Sequence, residues 1–142
     1  MALIAVGVLL FLAISAVLAR FYSVESLERE DLVALLQAEA RGSAPGMLAQ
    51  LSGCSQDPAC LASVRANAAR LHRPGSIKIL TLTSPTAGSL TAATGTTRVA
   101  WTVIGTLPVV QCVKVRRTGN ALTGISLDLL SIGPKIESEG DC

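Results

Sequence analysis

Residues 109–130, VVQCVKVRRTGNALTGISLDLL, predict two β-strands joined by a tight turn. In residues 109–117 and 125–130, apolar side chains recur at every second position, and side chains two residues apart lie on the same face of a strand. The intervening TGNALTG is rich in glycine and asparagine, which tight turns favour. The stretch therefore predicts an antiparallel strand pair with one apolar face.

Further strands and several helices are predicted upstream of this pair. Residues 76–84, SIKILTLTS, and 96–105, TTRVAWTVIG, have the β-branched composition of strands. Residues 24–42 repeat leucine at helical spacing behind Ser23, a candidate N-cap. Shorter helices are predicted from Pro45, behind Ser43, and from Pro58, behind Asp57. This order predicts an α+β domain, with about three helices packed on a curved antiparallel sheet of about four strands.

The chain begins with an apolar segment. Residues 2–19, ALIAVGVLLFLAISAVLA, contain no charged side chain. A helix of that length spans about 27 Å, close to the hydrocarbon thickness of a bilayer. The sequence therefore predicts a transmembrane signal anchor over residues 1–22 and an extracytoplasmic domain over residues 23–142, in a single-pass protein of the cell membrane. Cleavage between Ala19 and Arg20 would instead give a secreted protein.

All four cysteines follow the apolar segment: Cys54, Cys60, Cys112 and Cys142. An even number of cysteines in an exported chain predicts disulfide bonds, and four cysteines allow three pairings. Cys54 and Cys60 flank SQDPA, a turn-forming insert that brings them within bridging distance, which leaves Cys112 for Cys142. Zinc binding and redox chemistry are disfavoured because the chain lacks a C-x-x-C pair, so no metal or cofactor is expected.

Charge is unevenly distributed along the chain, although the net charge is only +2. Residues 25–39 are mostly acidic among their charged positions, whereas residues 58–127 contain no acid. Lys114, Arg116 and Arg117 form a candidate basic patch, either a solvated surface or one that meets an acidic partner or lipid headgroups. Nucleic acid is disfavoured as a partner because aromatic side chains are scarce and an exported chain seldom meets it.

Two side chains of the predicted interior could serve a ligand. Gln111 lies on the valine face of its strand, and Trp101 lies on the apolar face of another strand. A buried amide usually hydrogen-bonds to its neighbours, and a tryptophan in that place is usually core. The alternative is that Gln111 and Trp101 line an apolar ligand pocket.

The helical phrase EDLVALLQAEARGSAPGMLAQLS, followed by a third helix and long antiparallel strands, resembles the nuclear transport factor two-like (cystatin-like) superfamily. The pattern covers residues 25–135, and it is also similar to actinobacterial envelope proteins of unknown function, including the stretch VVQCVKVRRTGN. Enzymes that resemble ketosteroid isomerase on this fold place Asp, His or Tyr inside a cone formed by the sheet. Here Asp128 is predicted to face outward, His72 ends a helix, and Tyr22 adjoins the apolar segment.

These observations favour a non-catalytic, membrane-anchored domain that binds a partner protein or an apolar ligand. One alternative is a small enzyme or lipid carrier that uses the cavity of the cone. Another is a pilin-like filament subunit, because type IV pilins also combine an apolar N-terminal helix with a disulfide-bearing sheet. Position 5 is Ala5, however, and not the glutamate that pilin assembly uses.

Overall fold

A computed structural model of the chain describes residues 2–85, 92–120, 124–137 and 142, without the side chains of residues 2, 3, 17, 20–25 and 120. The helices are α1 (Ala2–Ala40), α2 (Ala44–Gln50), a short 3-10 helix (Cys54–Gln56) and α3 (Pro58–Arg70). The strands are β1 (Ile77–Thr83), β2 (Ala93–Val103), β3 (Val109–Asn120) and β4 (Gly124–Ile132). All neighbouring strands are antiparallel, in the order β1-β2-β3-β4. The predicted α+β class and four-stranded antiparallel sheet are confirmed.

Helix α1 is continuous over 39 residues, whereas the sequence predicted a separate helix that begins behind Ser23. No glycine or proline occurs between Gly7 and Gly42, so nothing in that stretch interrupts the backbone hydrogen-bond ladder. Ser23 therefore lies inside α1, and its prediction as an N-cap was wrong. The helix ends where Gly42 takes a positive φ of 69° and Ser43 N donates to Ala38 O at 2.9 Å.

The N-terminal half of α1 makes few contacts with the rest of the described chain. The large apolar side chains that the structure describes between Ile4 and Leu18 are more than half exposed. Within the part of the chain that the structure describes, no helix is long and apolar enough to cross a membrane.

The C-terminal half of α1 lies along β3 in the opposite direction. Glu28 contacts Arg117, and Glu39, eleven residues later in α1, contacts Gln111, which precedes Arg117 in β3. The exposed half of α1 therefore extends beyond the end of the sheet where β3 leads into β4. We call the opposite end of the domain, where α1 ends beside the β2–β3 turn, the distal end.

The core lies between the helices and one face of the sheet, which we call the inner face. On β3 every second side chain is buried on this face: Val109, Gln111, Val113, Val115 and Arg117. Helix side chains pack against them, including Leu32, Leu36 and Met47, all completely buried. The other side of the sheet, the outer face, has no helix over it in the described structure. The fold therefore has two layers and one open sheet surface.

Candidate functional site

One polar cluster in the interior surrounds Glu28 of α1. Its Oε1 accepts a hydrogen bond of 2.7 Å from Thr97 Oγ1, and its Oε2 accepts from Arg117 Nη2 at 3.1 Å and from Ser84 Oγ at 3.2 Å. The side chains of Glu28 and Arg117 are 2% and 3% exposed. Buried charges persist only with this kind of pairing and hydrogen bonding. The cluster therefore fixes α1 in register against β2 and β3.

A second polar cluster forms a chain of hydrogen bonds through the core. Trp101 Nε1 donates to Gln111 Oε1 at 2.7 Å, and Gln111 Nε2 donates to Glu39 Oε1 at 2.8 Å and to Gly133 O at 3.2 Å. Trp101, Gln111 and Glu39 are all completely buried. The chain connects β2, β3, α1 and the segment after β4, so it joins all the layers of the fold.

Glu39 is the most perturbed acid among the described residues. Burial raises its pKa to about 7, from an ordinary value of 4.5, and the hydrogen bond from Gln111 offsets only part of that increase. Its Oε2 atom is buried and has no hydrogen-bond partner in the described structure. Neither of the two described cavities is lined by Glu39.

The predicted pocket residues are in contact with each other. Gln111 and Trp101 do lie on the inner face, but the indole and the amide hydrogen-bond directly, and neither lines a described cavity. The bonding pattern matches the simpler expectation for a buried amide.

The predicted basic patch is divided between the two faces of the sheet. Lys114 and Arg116 are exposed on the outer face, and Arg116 forms an ion pair of 2.9 Å with Asp128. Arg117 is on the inner face, because successive side chains of a strand point to opposite faces. The outer face instead adds Arg98 of β2, which pairs in register with Cys112.

Both predicted disulfides are present, Cys54–Cys60 and Cys112–Cys142. The first joins the 3-10 helix to α3, and Cys54 and Cys60 are both buried in the core. The second connects the outer face of β3 to the C-terminal residue of the chain. No cysteine of the described structure is free.

The distal end presents two large apolar side chains to solvent. Ile104 and Leu107, in the β2–β3 turn, are 90% and 82% exposed, the highest values among the exposed large apolar residues described. The turn is well ordered by hydrogen bonds: Thr106 N donates to Val103 O at 3.0 Å, and Thr102 Oγ1 donates to Thr106 O at 2.9 Å. Gly105 supplies the positive φ of 83° that the turn requires.

Arg73 joins this turn to the helical layer. Its backbone N donates to Ala40 O at 2.8 Å, and its guanidinium Nη1 donates to Thr106 Oγ1 at 3.2 Å and to Leu107 O. The guanidinium also lies 6.0 Å from the centroid of the Trp101 ring, within range of a cation–π contact. Hydrogen bonds therefore fix the turn that carries Ile104 and Leu107 to the helical layer.

Two cavities are described, and both are shallow. The larger, of about 580 Å³, is an open groove between α1 and α2 lined mainly by apolar atoms, with Arg29 and Arg41 among its lining residues. The smaller, of about 250 Å³, contains Asp57, Ser63 and Ser131. The Asp57 carboxylate already accepts a hydrogen bond from Ala59 N at 2.9 Å, as the N-cap of α3. Within the described residues, no group of three or more His, Cys, Asp or Glu side chains is placed to hold a metal ion.

Comparison of the chain with protein-family models, with curated proteins and with solved structures finds no match. The resemblance to the nuclear transport factor two-like superfamily therefore stays a prediction.

Sequence reasoning missed the two buried carboxylates and the exposed apolar turn. Glu28 and Glu39 lie in a helix with many acids, and their partners are 89 and 72 positions away, so no local pattern identifies them. A signal did exist for Arg117, because it continues the alternation of Val113 and Val115. For the turn, the signal was Leu107, an apolar residue that lies between Gly105 and Pro108. In so short a turn its side chain cannot reach the core.

Proposed function

We propose that this protein is a non-catalytic, membrane-anchored extracytoplasmic domain that binds a partner protein at its distal end. The observation that carries the proposal is the rigid β2–β3 turn, which exposes Ile104 and Leu107 at the end opposite the apolar half of α1. Exposed apolar side chains on a preorganised support are typical of recognition surfaces, since little entropy is lost on binding.

Anchoring is supported by the sequence and by the exposure of α1. Residues 2–19 carry no charge, and the described large apolar side chains of this half contact water rather than the domain. An apolar helix without a protein partner is stabilised by lipid. The two disulfides favour an oxidising compartment for the remainder of the chain.

A protein partner is favoured over a small apolar ligand or a lipid cargo. The predicted ligand residues, Trp101 and Gln111, are completely buried and bonded to each other, as is the acid Glu39. A catalytic or carrier role in the cone would need that space to be open to a substrate. The helices against one sheet face are compatible with a nuclear transport factor two-like arrangement, which we retain as a proposal for the fold.

One observation favours a filament subunit as the second candidate. Helix α1 continues without a break from its apolar half into the domain, so the two parts are rigidly connected. In a pilin-like subunit such a helix would pack against copies of itself. Ala5 removes the acid on which pilin assembly depends, and for that reason anchoring remains the first proposal.

Anchoring is tested on the full chain in its own membranes. After alkaline extraction of the membranes, the protein should stay in the pellet, and protease added to the extracytoplasmic side should digest the domain. Recovery in the soluble fraction with Arg20 as the first residue would contradict anchoring. Recovery as sedimenting polymers that survive detergent would favour the filament candidate.

Partner binding is tested by placing a photo-crosslinking residue at Ile104 in cells. We expect one discrete adduct, which Leu107→Asp removes. The matched control carries the same crosslinker at Leu80, which is an exposed apolar residue of β1 at 47%. The same adduct from both positions, or none from Ile104, would contradict recognition through the turn.

A further inference from the structure

The outer face carries a line of cations that we call the cation stripe: Arg98, Lys114 and Arg116. Thr96 pairs with Lys114 in register, and Arg98 pairs with Cys112, so Arg98 and Lys114 are diagonal neighbours about 7 Å apart. Lys114 and Arg116 are two residues apart on β3, which is also about 7 Å. The three cations therefore form a continuous line across two strands.

Within residues 2–85, 92–120, 124–137 and 142, one acid forms an ion pair with these cations. Asp128 pairs with Arg116, and its other oxygen accepts a hydrogen bond from Ser52 Oγ at 3.2 Å. No ion pair to Arg98 or Lys114 is present among the described residues. Like charges at diagonal positions of a sheet repel each other, so the isolated domain gains nothing from this arrangement.

Hydroxyl groups surround the cation stripe and extend its polar character. Four of the six register neighbours of its members carry hydroxyl groups: Thr83, Thr94, Thr96 and Ser131. The other two are Asp128 and Cys112, which is disulfide-bonded to Cys142. Hydroxyls and cations together are the donors that hold phosphate and sulfate oxygens. In the described structure the helices α2 and α3 pack on the other side of the sheet, so neither covers the cation stripe.

We infer that the outer face binds a linear polyanion, a polymer bearing phosphate or sulfate groups, along the cation stripe. Anionic groups spaced like the cations could contact Arg98, Lys114 and Arg116 in turn. The inference adds a binding surface to the proposed function, because the outer face is distinct from both the distal turn and α1. Only the exclusion of membrane headgroups as the anion rests on the proposed anchor.

Distance argues against the headgroups of the anchoring membrane as the anion. Glu28 lies nine residues beyond Ala19, or about 13 Å along a helix. Arg116, the member of the cation stripe nearest to the membrane, is adjacent in β3 to Arg117, the partner of Glu28, which adds about 3 Å. The total of about 16 Å is twice the physiological Debye length of about 8 Å. A polymer that approaches from the side has no such barrier.

The test measures binding of fluorescent long-chain polyphosphate to the full chain in an uncharged detergent. We expect saturable binding that the double variant Arg98→Gln/Lys114→Gln weakens at least tenfold. The slope of log affinity against log salt should fall by about 2, one for each lost cation contact. The matched control is Arg65→Gln/Arg70→Gln, which removes the same charge from two exposed positions of α3 and should change affinity less than twofold.

Three results would overturn the inference. The first is no saturable polyphosphate binding, and the second is an equal loss in both double variants, which would indicate net charge alone. The third is binding to anionic phosphatidylglycerol vesicles with none to polyphosphate, which would assign the surface to lipid. The single variant Lys114→Glu, with unchanged thermal unfolding, provides a second measurement if the double variant is unstable.

Discussion

Arg116 and Arg117 are adjacent in β3 and each pairs with one carboxylate, but on opposite faces of the sheet. On the outer face, the side chains of Arg116 and Asp128 are 48% and 33% exposed. On the inner face, those of Arg117 and Glu28 are 3% and 2% exposed. The same chemistry therefore occurs once in water and once in the protein interior, a single residue apart.

The two ion pairs differ in how much the stability of the fold depends on them. Water screens the outer pair and would solvate either partner alone, so the outer pair contributes little to stability. Neither partner of the inner pair can be solvated, so each charge depends on the other. The inner polar groups fix the position of α1 on the sheet, while the outer pair is partly exposed to solvent.

The largest expected effect is at the inner pair. Replacing Arg117 by Met leaves the Glu28 carboxylate buried without its counter-charge, which should lower the free energy of unfolding by about 3 to 5 kcal/mol. The measurement is denaturant unfolding of the full chain in detergent, followed by Trp101 fluorescence. The matched control is Arg116→Met, with an expected loss below about 1 kcal/mol.

The double variant Glu28→Met/Arg117→Met sharpens this comparison. Because it removes both buried charges, it should recover most of the stability lost in Arg117→Met. A loss from Arg116→Met as large as that from Arg117→Met would show that burial does not distinguish the two faces.

The two disulfides differ in the length of the loop that each closes. Cys112–Cys142, on the outer face, spans 30 residues, and Cys54–Cys60, in the helical layer, spans 6. Loop-closure entropy predicts losses of about 3.6 and about 2.2 kcal/mol on replacing each pair by serine. Unfolding of the two double-serine variants measures the difference, and a larger loss from Cys54–Cys60 would indicate that core packing outweighs loop length.

Glu39 makes the inner face sensitive to pH. Its folded pKa of about 7 exceeds the ordinary 4.5, so the folded state binds the proton more tightly than the unfolded state. The resulting stability is fully present below about pH 4.5 and is lost as the pH rises through 7. Between pH 4.5 and 7 the free energy of unfolding of the native protein should fall by about 2 to 3 kcal/mol relative to that of Glu39→Gln, which has no proton to release.

Unfolding at several pH values compares Glu39→Gln with the native chain. Asp31→Asn serves as the control, because burial and then repulsion by Glu30 raise the pKa of Asp31 from a partly exposed position of the same helix. A native chain and a Glu39→Gln variant with parallel stability curves would contradict the assignment of the pH dependence to Glu39.

Local patterns predicted much of this fold from the sequence. The two-residue alternation of 109–117 identified β3 and the inward position of Gln111, and turn chemistry identified the strand pair. The cysteine pairing followed from the short insert between Cys54 and Cys60. Each of these inferences depends on residues close together in the chain.

What the sequence did not predict depends on distant residues or on cooperative structure. Whether α1 stops at Ser23 depends on the continuation of the helix on both sides, not on serine's own preference for caps. The buried positions of Glu28 and Glu39 depend on hydrogen-bond partners in the sheet, Arg117 and Gln111. The basic patch has a different composition from the predicted one for two reasons. Successive side chains of β3 point to opposite faces, which separates Arg117 from Arg116, and the register of β2 with β3 brings Arg98 beside Lys114.

The smallest expected effect is the coupling between Arg116 and Asp128. Both contacts of the guanidinium, from Nη2 at 2.9 Å and from Nε at 3.4 Å, reach the same oxygen, Oδ2, so the pair lacks the two parallel bonds of the strongest arginine–carboxylate geometry. A double-mutant cycle with Arg116→Gln and Asp128→Asn should give about 0.5 kcal/mol at low salt. In about 1 M salt the Debye length falls to about 3 Å and the coupling should vanish, whereas a cycle on Glu28 and Arg117 should hardly change, because buried pairs are screened much less. A coupling on the outer face above about 2 kcal/mol, or one insensitive to salt, would mean that the outer face is desolvated by something bound to it.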